Sequence, residues 1–227
     1  MLEKEVLREN VRGLYEIMKL RVKCERRSRA FKKTHTHVPL TRVNNAVHHL
    51  LTQETYFRNA IQQAVVTYDI WDWLRKIKGI GPVLAGMLIA ETNIEECGTV
   101  SKMWAWWGLT PASGGSSFRR HRVSKVLGES LLRKKSKPYY QEYLRYKQKK
   151  EQTLGLCMGC GGSGKHGDES CANCAGTGQG PWGKSKNHRH ATARRYMVKL
   201  FLRDLWRAWR RQESLECPAP YRVKKTS

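Results

Sequence analysis

Leu74-Arg75-Lys76-Ile77-Lys78-Gly79-Ile80-Gly81-Pro82-Val83-Leu84-Ala85 is the stretch that decides how this chain folds. A mixed apolar and basic run ends on two glycines one residue apart, and a strongly apolar run opens at Pro82. Glycine reaches positive φ without steric cost, so Gly79 and Gly81 predict a sharp turn. Proline suits the first position of a helix, where its missing N–H would have no partner in any case. The stretch therefore predicts helix, turn, helix. Unbonded amides at the start of the second helix offer a site for phosphate, with Arg75, Lys76 and Lys78 around the turn. The same kind of turn also serves packing alone.

Working outward, Leu7, Val11, Leu14, Met18 and Val22 recur at spacings of three and four, which predicts a helix over 1–33. Pro39 disfavours helix at Val38 and breaks that pattern. A second amphipathic helix follows, carrying Val43, Val47, Leu50, Phe57, Ile61 and Ala64, with Glu54 interrupting its stripe. Two such helices in tandem predict an antiparallel coiled-coil hairpin over 1–73. Its seam either covers the protein's own core or recruits a second copy.

Downstream, 70–133 contains Trp71, Trp73, Trp104, Trp106 and Trp107 and is apolar enough for a compact core. The stretch 134–150 is basic and tyrosine-rich; Tyr139, Tyr140, Tyr143 and Tyr146 are candidates for stacking on bases. A last helix is expected over about 191–211, with Met197, Phe201, Leu205 and Ala208 on one face and seven basic residues elsewhere. No strand series stands out, so the expected class is mainly α.

Between these helical regions lie Cys157-Met-Gly-Cys160-Gly-Gly-Ser-Gly and Cys171-Ala-Asn-Cys174-Ala-Gly-Thr-Gly, two copies of CxxCxGxG. A CxxC turn lets two thiolates reach one ion, and the glycines let backbone amides approach the sulfurs. Facing copies predict a closed tetrahedral Cys₄ site holding one structural Zn²⁺. The repeat resembles half of the zinc-binding region of DnaJ-type chaperones, but nothing here resembles a J domain, so it is expected as an inserted knuckle. The domain plan is then a hairpin over 1–73, a helical domain over 74–150 and 184–213, a knuckle over 155–183 and a flexible tail over 214–227.

Lys plus Arg number 43 against 19 Asp plus Glu, a formal charge of +24. Such a surplus repels itself unless a polyanion neutralises it. An apolar run approaching the roughly 20 residues of a membrane span is absent. The charged opening Glu3-Lys4-Glu5 is unlike a signal peptide. Nucleic acid is the expected partner, and seven cysteines of which four form two CxxC pairs while Cys24, Cys97 and Cys217 are isolated point to metal ligation in a reducing compartment.

The turn at 79–81 resembles a helix-hairpin-helix motif, which grips nucleic-acid backbone. Trp104-Ala-Trp106-Trp107-Gly108-Leu109-Thr110-Pro111 then leads into a Ser/Gly loop, and Phe118-Arg119-Arg120-His121-Arg122-Val123-Ser124-Lys125 follows. In this order the motifs resemble the C-terminal half of insertion-sequence transposases guided by a bridge RNA. They are also similar to the Nop domain of guide-RNA proteins, including the Tas proteins of tandem-interspaced-guide-RNA systems. The resemblance covers roughly 40–135 and 186–211.

That resemblance implies a helix-hairpin-helix or Nop-like domain that holds a guide RNA, often as a homodimer, and directs it to target DNA by base pairing. It assigns backbone contacts to Arg119, Arg120, Arg122, Lys125, Arg133, Arg194, Arg195 and Lys199, with His190 beside the nucleic acid. The setting it implies is cytoplasmic, in a bacterium or phage, with room for a separate nuclease partner. The transposases add a RuvC-like domain with four carboxylates and a loop serine. About forty residues precede the second helix here, so no RuvC-like domain is expected, and no catalytic residue is assigned. Two alternatives stand beside this one: a minimal transposase using Ser113, Ser116 or Ser117, and a guide-free helix-hairpin-helix DNA-binding accessory protein.

Overall fold

The computed structural model describes residues 2–35, 40–110, 117–152, 154–181 and 186–218, and among them the chain is mainly helical. It divides into two compact units, Met1–Lys76 with Ile80–Asn93, and Ile77–Gly79 with Ile94–Ser227. No helix among the described residues is long and apolar enough to cross a membrane.

The first unit is the expected hairpin, α1 (Leu2–Thr34) against α2 (Thr41–Val65), together with α3 (Ile70–Leu74) and α4 (Pro82–Glu91). Leu7, Val11, Leu14 and Ile61 of the expected stripes are wholly buried, as is Val65 beside them, while Met18, Val22, Val43, Val47, Leu50, Phe57 and Ala64 are half-buried, so the stripes lie along the seam. Glu54 is where the pattern misleads. It is only 4% exposed, and its carboxylate takes Arg21 Nε at 2.5 Å and Arg58 Nη2 at 3.8 Å. Hydrogen bonds to Glu54 and Glu25 raise the Arg21 guanidinium above its ordinary pKa. A charge in a seam is tolerated when it is paired, as here across the two helices. Glu54 thus pins the two helices rather than interrupting them.

The sequence plan assigned residue 74 onward to the second domain, but α4 packs on both α1 and α2. The reason is chemical: Ala85 to Glu91 are all buried, and a helix apolar on every side has to be enclosed. Its last carbonyls are met by cations from α1. Arg8 donates twice to the Ala90 carbonyl at 3.0 and 3.1 Å, and Lys4 Nζ donates to the Thr92 carbonyl at 2.6 Å. Cations near a helix C-terminus satisfy both its orphan acceptors and its dipole. Gly86 permits the close approach, since a Cβ there would lie 2.7 Å from Ile61 Cγ2. Gly86→Val is expected to destabilise the protein by about 3 kcal/mol in urea unfolding, the upper range for overpacking. Gly98→Ala, at a position with nothing within 4 Å, serves as the near-neutral control.

The second unit is built on α9 (Lys186–Gln212). Its face of Met197, Val198, Phe201, Leu202, Leu205, Trp206 and Trp209 is buried. Against it pack α5 (Val100–Trp106), α7 (Gly128–Arg133) and α8 (Tyr139–Gln152). A short α6 (Ser117–His121) runs through a π-helical segment, Arg122–Leu127, into α7. Trp206 Nε1 donates to the Cys97 carbonyl and Arg210 Nη1 to the Ile94 carbonyl, tying down the far end of α9. Tyr139 meets Phe201 edge-on at 5.5 Å, and burial together with Asp204 raises its phenol pKa. Tyr139 and Tyr143 are therefore core residues, whereas Tyr140 and Tyr146 remain partly exposed.

Candidate nucleic-acid interface and metal centre

The segment after α5 shapes a cationic cavity of the second unit. The Leu109 amide donates to the Trp104 carbonyl and the Gly108 amide to the Ala105 carbonyl, at 2.8 and 2.9 Å. This pair of bonds is a Schellman stop, and it requires a left-handed residue, met by Gly108 at φ 67°. The chain turns sharply out of the tryptophan helix, and the Gly108 carbonyl accepts from Arg120 Nε at 2.9 Å.

Beside this turn is a cavity of about 340 Å³ lined by Gly108, Leu109, Thr110, Arg120, Arg195 and Lys199. Among the described residues three cationic side chains and no carboxylate line it, which suits an anion such as phosphate. Lys199 sits 5.1 Å from the Trp104 ring centre, and its carbonyl accepts from Trp104 Nε1 at 3.0 Å. Burial, with Arg195 nearby, lowers the Lys199 pKa, a cost that a bound anion would offset. The Arg119 guanidinium sits over the Trp106 ring, 4.0 Å from its centre.

Of the residues expected to touch nucleic acid, the fold thus brings Arg120, Arg195 and Lys199 together. Lys125 and Arg133 are exposed elsewhere on the second unit. Arg122 is 6% exposed and so is turned into the protein, contrary to expectation, because it begins the π-helical segment on the buried side of the helix. Arg194 is also drawn inward, bonding Glu129 through Nη1. His190 Nε2 lies 3.8 Å from the same carboxylate, and its Nδ1 is 2.6 Å from the Tyr143 hydroxyl.

Arg75 and Lys76, in the first unit, and Lys78, in the second, are exposed; Arg75 pairs with Asp72. Gly79 has φ 103° and its carbonyl accepts from Ser130 Oγ, while Gly81 is the extended N-cap of α4 and no side chain caps that helix. The turn and the helix opening at Pro82 are as expected, but the first helix stops at Leu74, so Arg75, Lys76 and Lys78 lie on the turn itself. Ser113 and Ser116 lie outside the described residues, and Ser117 begins α6.

The four paired cysteines form the knuckle. Their sulfurs all lie within 4.8 Å of one another, with Cys157 to Cys171 at 3.9 Å and Cys160 to Cys174 at 3.8 Å. A tetrahedral site with metal–sulfur bonds of about 2.3 Å has edges of about 3.8 Å, whereas a disulfide needs about 2.05 Å. The cluster therefore fits a structural metal site. Two antiparallel pairs brace it, β1 (Leu154–Leu156) with β4 (Gln179–Pro181) and β2 (Lys165–His166) with β3 (Glu169–Ser170).

The two halves interlock reciprocally. The Cys157 amide donates to Gly178 and the Cys171 amide to Gly164, while a Cβ on Gly164 would strike the Gly176 carbonyl and one on Gly178 the Gly162 carbonyl. Burial raises the Cys160 pKa, but amides of Gly162 and Gly164 and the thiols of Cys157 and Cys174 bring it down to about 6. Burial drives Cys171 the other way, to about 11, with its neighbouring sulfurs adding to the rise. Four thiols in one cluster compete for negative charge, the condition that a cation relieves.

The tryptophan helix, the Schellman turn and the arginine-bearing helix after it all fall in one stretch that comparison with known families picks out. Residues 72–135 match the Transposase IS116/IS110/IS902 family. This segment is related to those transposases, and it contributes Gly108, Leu109, Thr110 and Arg120 to the cationic cavity. The match covers less than a third of the chain; the hairpin, the knuckle and α9 lie outside it. No curated protein and no solved structure matches the chain. Sequence reasoning missed the Schellman stop, although a glycine directly after an aromatic helix and before an apolar residue is its usual signal.

Proposed function

We propose that this chain is a transposase-related protein that holds a guide RNA through its basic surfaces and brings it to target DNA by base pairing. The observation that carries this is the cavity where Arg120, Arg195 and Lys199 converge, partly within the segment matching the transposase family. A pocket of cations without carboxylates takes backbone phosphate and reads no base, so sequence choice falls to a paired nucleic acid. In this reading the ion of the knuckle is Zn²⁺, a structural element with four protein ligands and no open position for chemistry. The exposed apolar residues Val6, Leu20, Leu51 and Tyr56 on the hairpin support pairing of two copies through α1 and α2. Strand cleavage is assigned to a separate nuclease. The test is the nucleic acid that the full chain carries from its own cells: a discrete small RNA supports the assignment, and random DNA alone opposes it.

The family match favours one second reading, a recombinase that uses Ser113, Ser116 or Ser117 as nucleophile. Replacing Ser113, Ser116 and Ser117 together by alanine is then expected to abolish strand transfer on a donor and target DNA pair supplied with the RNA. An undiminished rate rules out a serine nucleophile.

A further inference from the structure

Among α7, α8 and α9 there is a second cavity, of about 640 Å³, lined by Glu129, Leu132, Arg133, Tyr140, Tyr143 and His190. Its chemistry differs from that of the phosphate-like pocket. Tyr140 and Tyr143 stack, with ring centres 6.2 Å apart and planes at 24°, and the partly exposed Tyr140 gives the cavity an aromatic wall. Leu132 adds an apolar side. The polar edge is held in place: Arg194 and His190 both approach Glu129 Oε1, and the Tyr143 hydroxyl donates to His190 Nδ1 when the ring proton faces the carboxylate. The Glu129 side chain is nevertheless 47% exposed, so its carboxylate faces the cavity as well as its partners. Arg133 is exposed at the same cavity and forms no ion pair among the described residues.

A carboxylate in the wall disfavours phosphate there, and an aromatic platform beside a fixed acceptor is what an unpaired base requires. Stacked bases in a duplex cannot enter a pocket without leaving the helix. We infer that the cavity among α7, α8 and α9 receives one unpaired, amino-bearing nucleobase of a single strand, stacked on Tyr140, with its amino group donating to Glu129 and its phosphate met by Arg133. Carboxylates accept from the cytosine amino group, whereas uracil and thymine present a carbonyl oxygen at that position. The inference rests on the proposal that this chain binds nucleic acid, and adds which moiety a separate pocket takes.

The experiment measures binding of the full chain to short labelled oligomers of cytosine and of uracil, as RNA, their DNA counterparts with thymine, and a mixed-sequence duplex. Wild-type protein is expected to favour cytosine over uracil or thymine oligomers in both RNA and DNA. Tyr140→Ala weakens cytosine-oligomer binding by about tenfold, the loss of one stacking platform, and leaves duplex binding within about twofold. Tyr140→Trp restores it. Glu129→Gln, compared with wild type at a temperature where both are folded, erases the preference for cytosine. Equal binding of cytosine and uracil oligomers with a silent Tyr140→Ala overturns the base pocket while nucleic-acid binding stands. Failure to bind any of these probes overturns both.

Discussion

Cys171→Ser is expected to release the metal from a chain that otherwise carries about one equivalent, and to unfold residues 154–181 without unfolding α9. The knuckle has almost nothing else to hold it. Its buried cluster is Cys157, Cys171 and Cys174 with Cys160 packed beside them, and Leu156 and Met158 are 69% and 77% exposed. A segment whose described residues bury little besides cysteine cannot offset the chain entropy of ordering, about 1–2 kcal/mol per residue. In comparable small zinc modules the ion supplies roughly 10–16 kcal/mol of apparent folding free energy. Serine donates a hard oxygen in place of a soft thiolate and leaves three ligands. By contrast α9 is fastened through Phe201, Trp206 and Arg210 to elements outside the knuckle. Metal analysis and amide hydrogen exchange read the two effects separately: fast exchange is expected over β1 to β4, with protection kept over 193–210. Wild-type protein that is metal-free and still protected across the knuckle would show that the cysteines serve another purpose.

The second large effect is on binding. Arg195→Ala with Lys199→Gln is expected to lower affinity for RNA or duplex DNA about a hundredfold at moderate salt, and to flatten the salt dependence. Each charge-assisted contact is worth about 1.5–3 kcal/mol, and each neutralised phosphate adds about 0.9 to the slope of log affinity against log salt for B-DNA. Removing two should therefore cost nearly two units of slope. Arg195 is exposed, and the Trp104 hydrogen bond reaches the Lys199 carbonyl, which the substitution keeps while losing only the ammonium over the Trp104 ring, so the fold should persist. Lys125→Gln, an exposed cation outside this cavity, is the comparison, with an expected loss of no more than one such contact. An unchanged slope for the double variant would remove the cavity from the interface.

The sequence was most legible where local rules act alone. The α1 and α2 stripes, the glycine turn with Pro82 at a helix start, and the two CxxC turns depend on periodicity or on a few residues' own geometry. Three features needed tertiary context. Glu54 breaks a stripe in one dimension, and only the opposing Arg21 makes it a buried pin. The first unit extends to Asn93, beyond the expected boundary, because α4 is apolar on all sides and α1 supplies its terminal cations. Among the arginines, a helix count does not tell Arg122, which is buried, from Arg120, which lines a cavity; the π-helical segment changes the register between them and the rest of the helix.

The most direct test of the account is to crosslink the full-length protein to its nucleic acid in its own cells, purify it under denaturing conditions, and identify both sides of each link. The account predicts a discrete small RNA of repeated architecture, joined to peptides that contain Arg195 and Lys199 or the arginine helix at 117–133. Only random DNA fragments, or no nucleic acid at all, would contradict it.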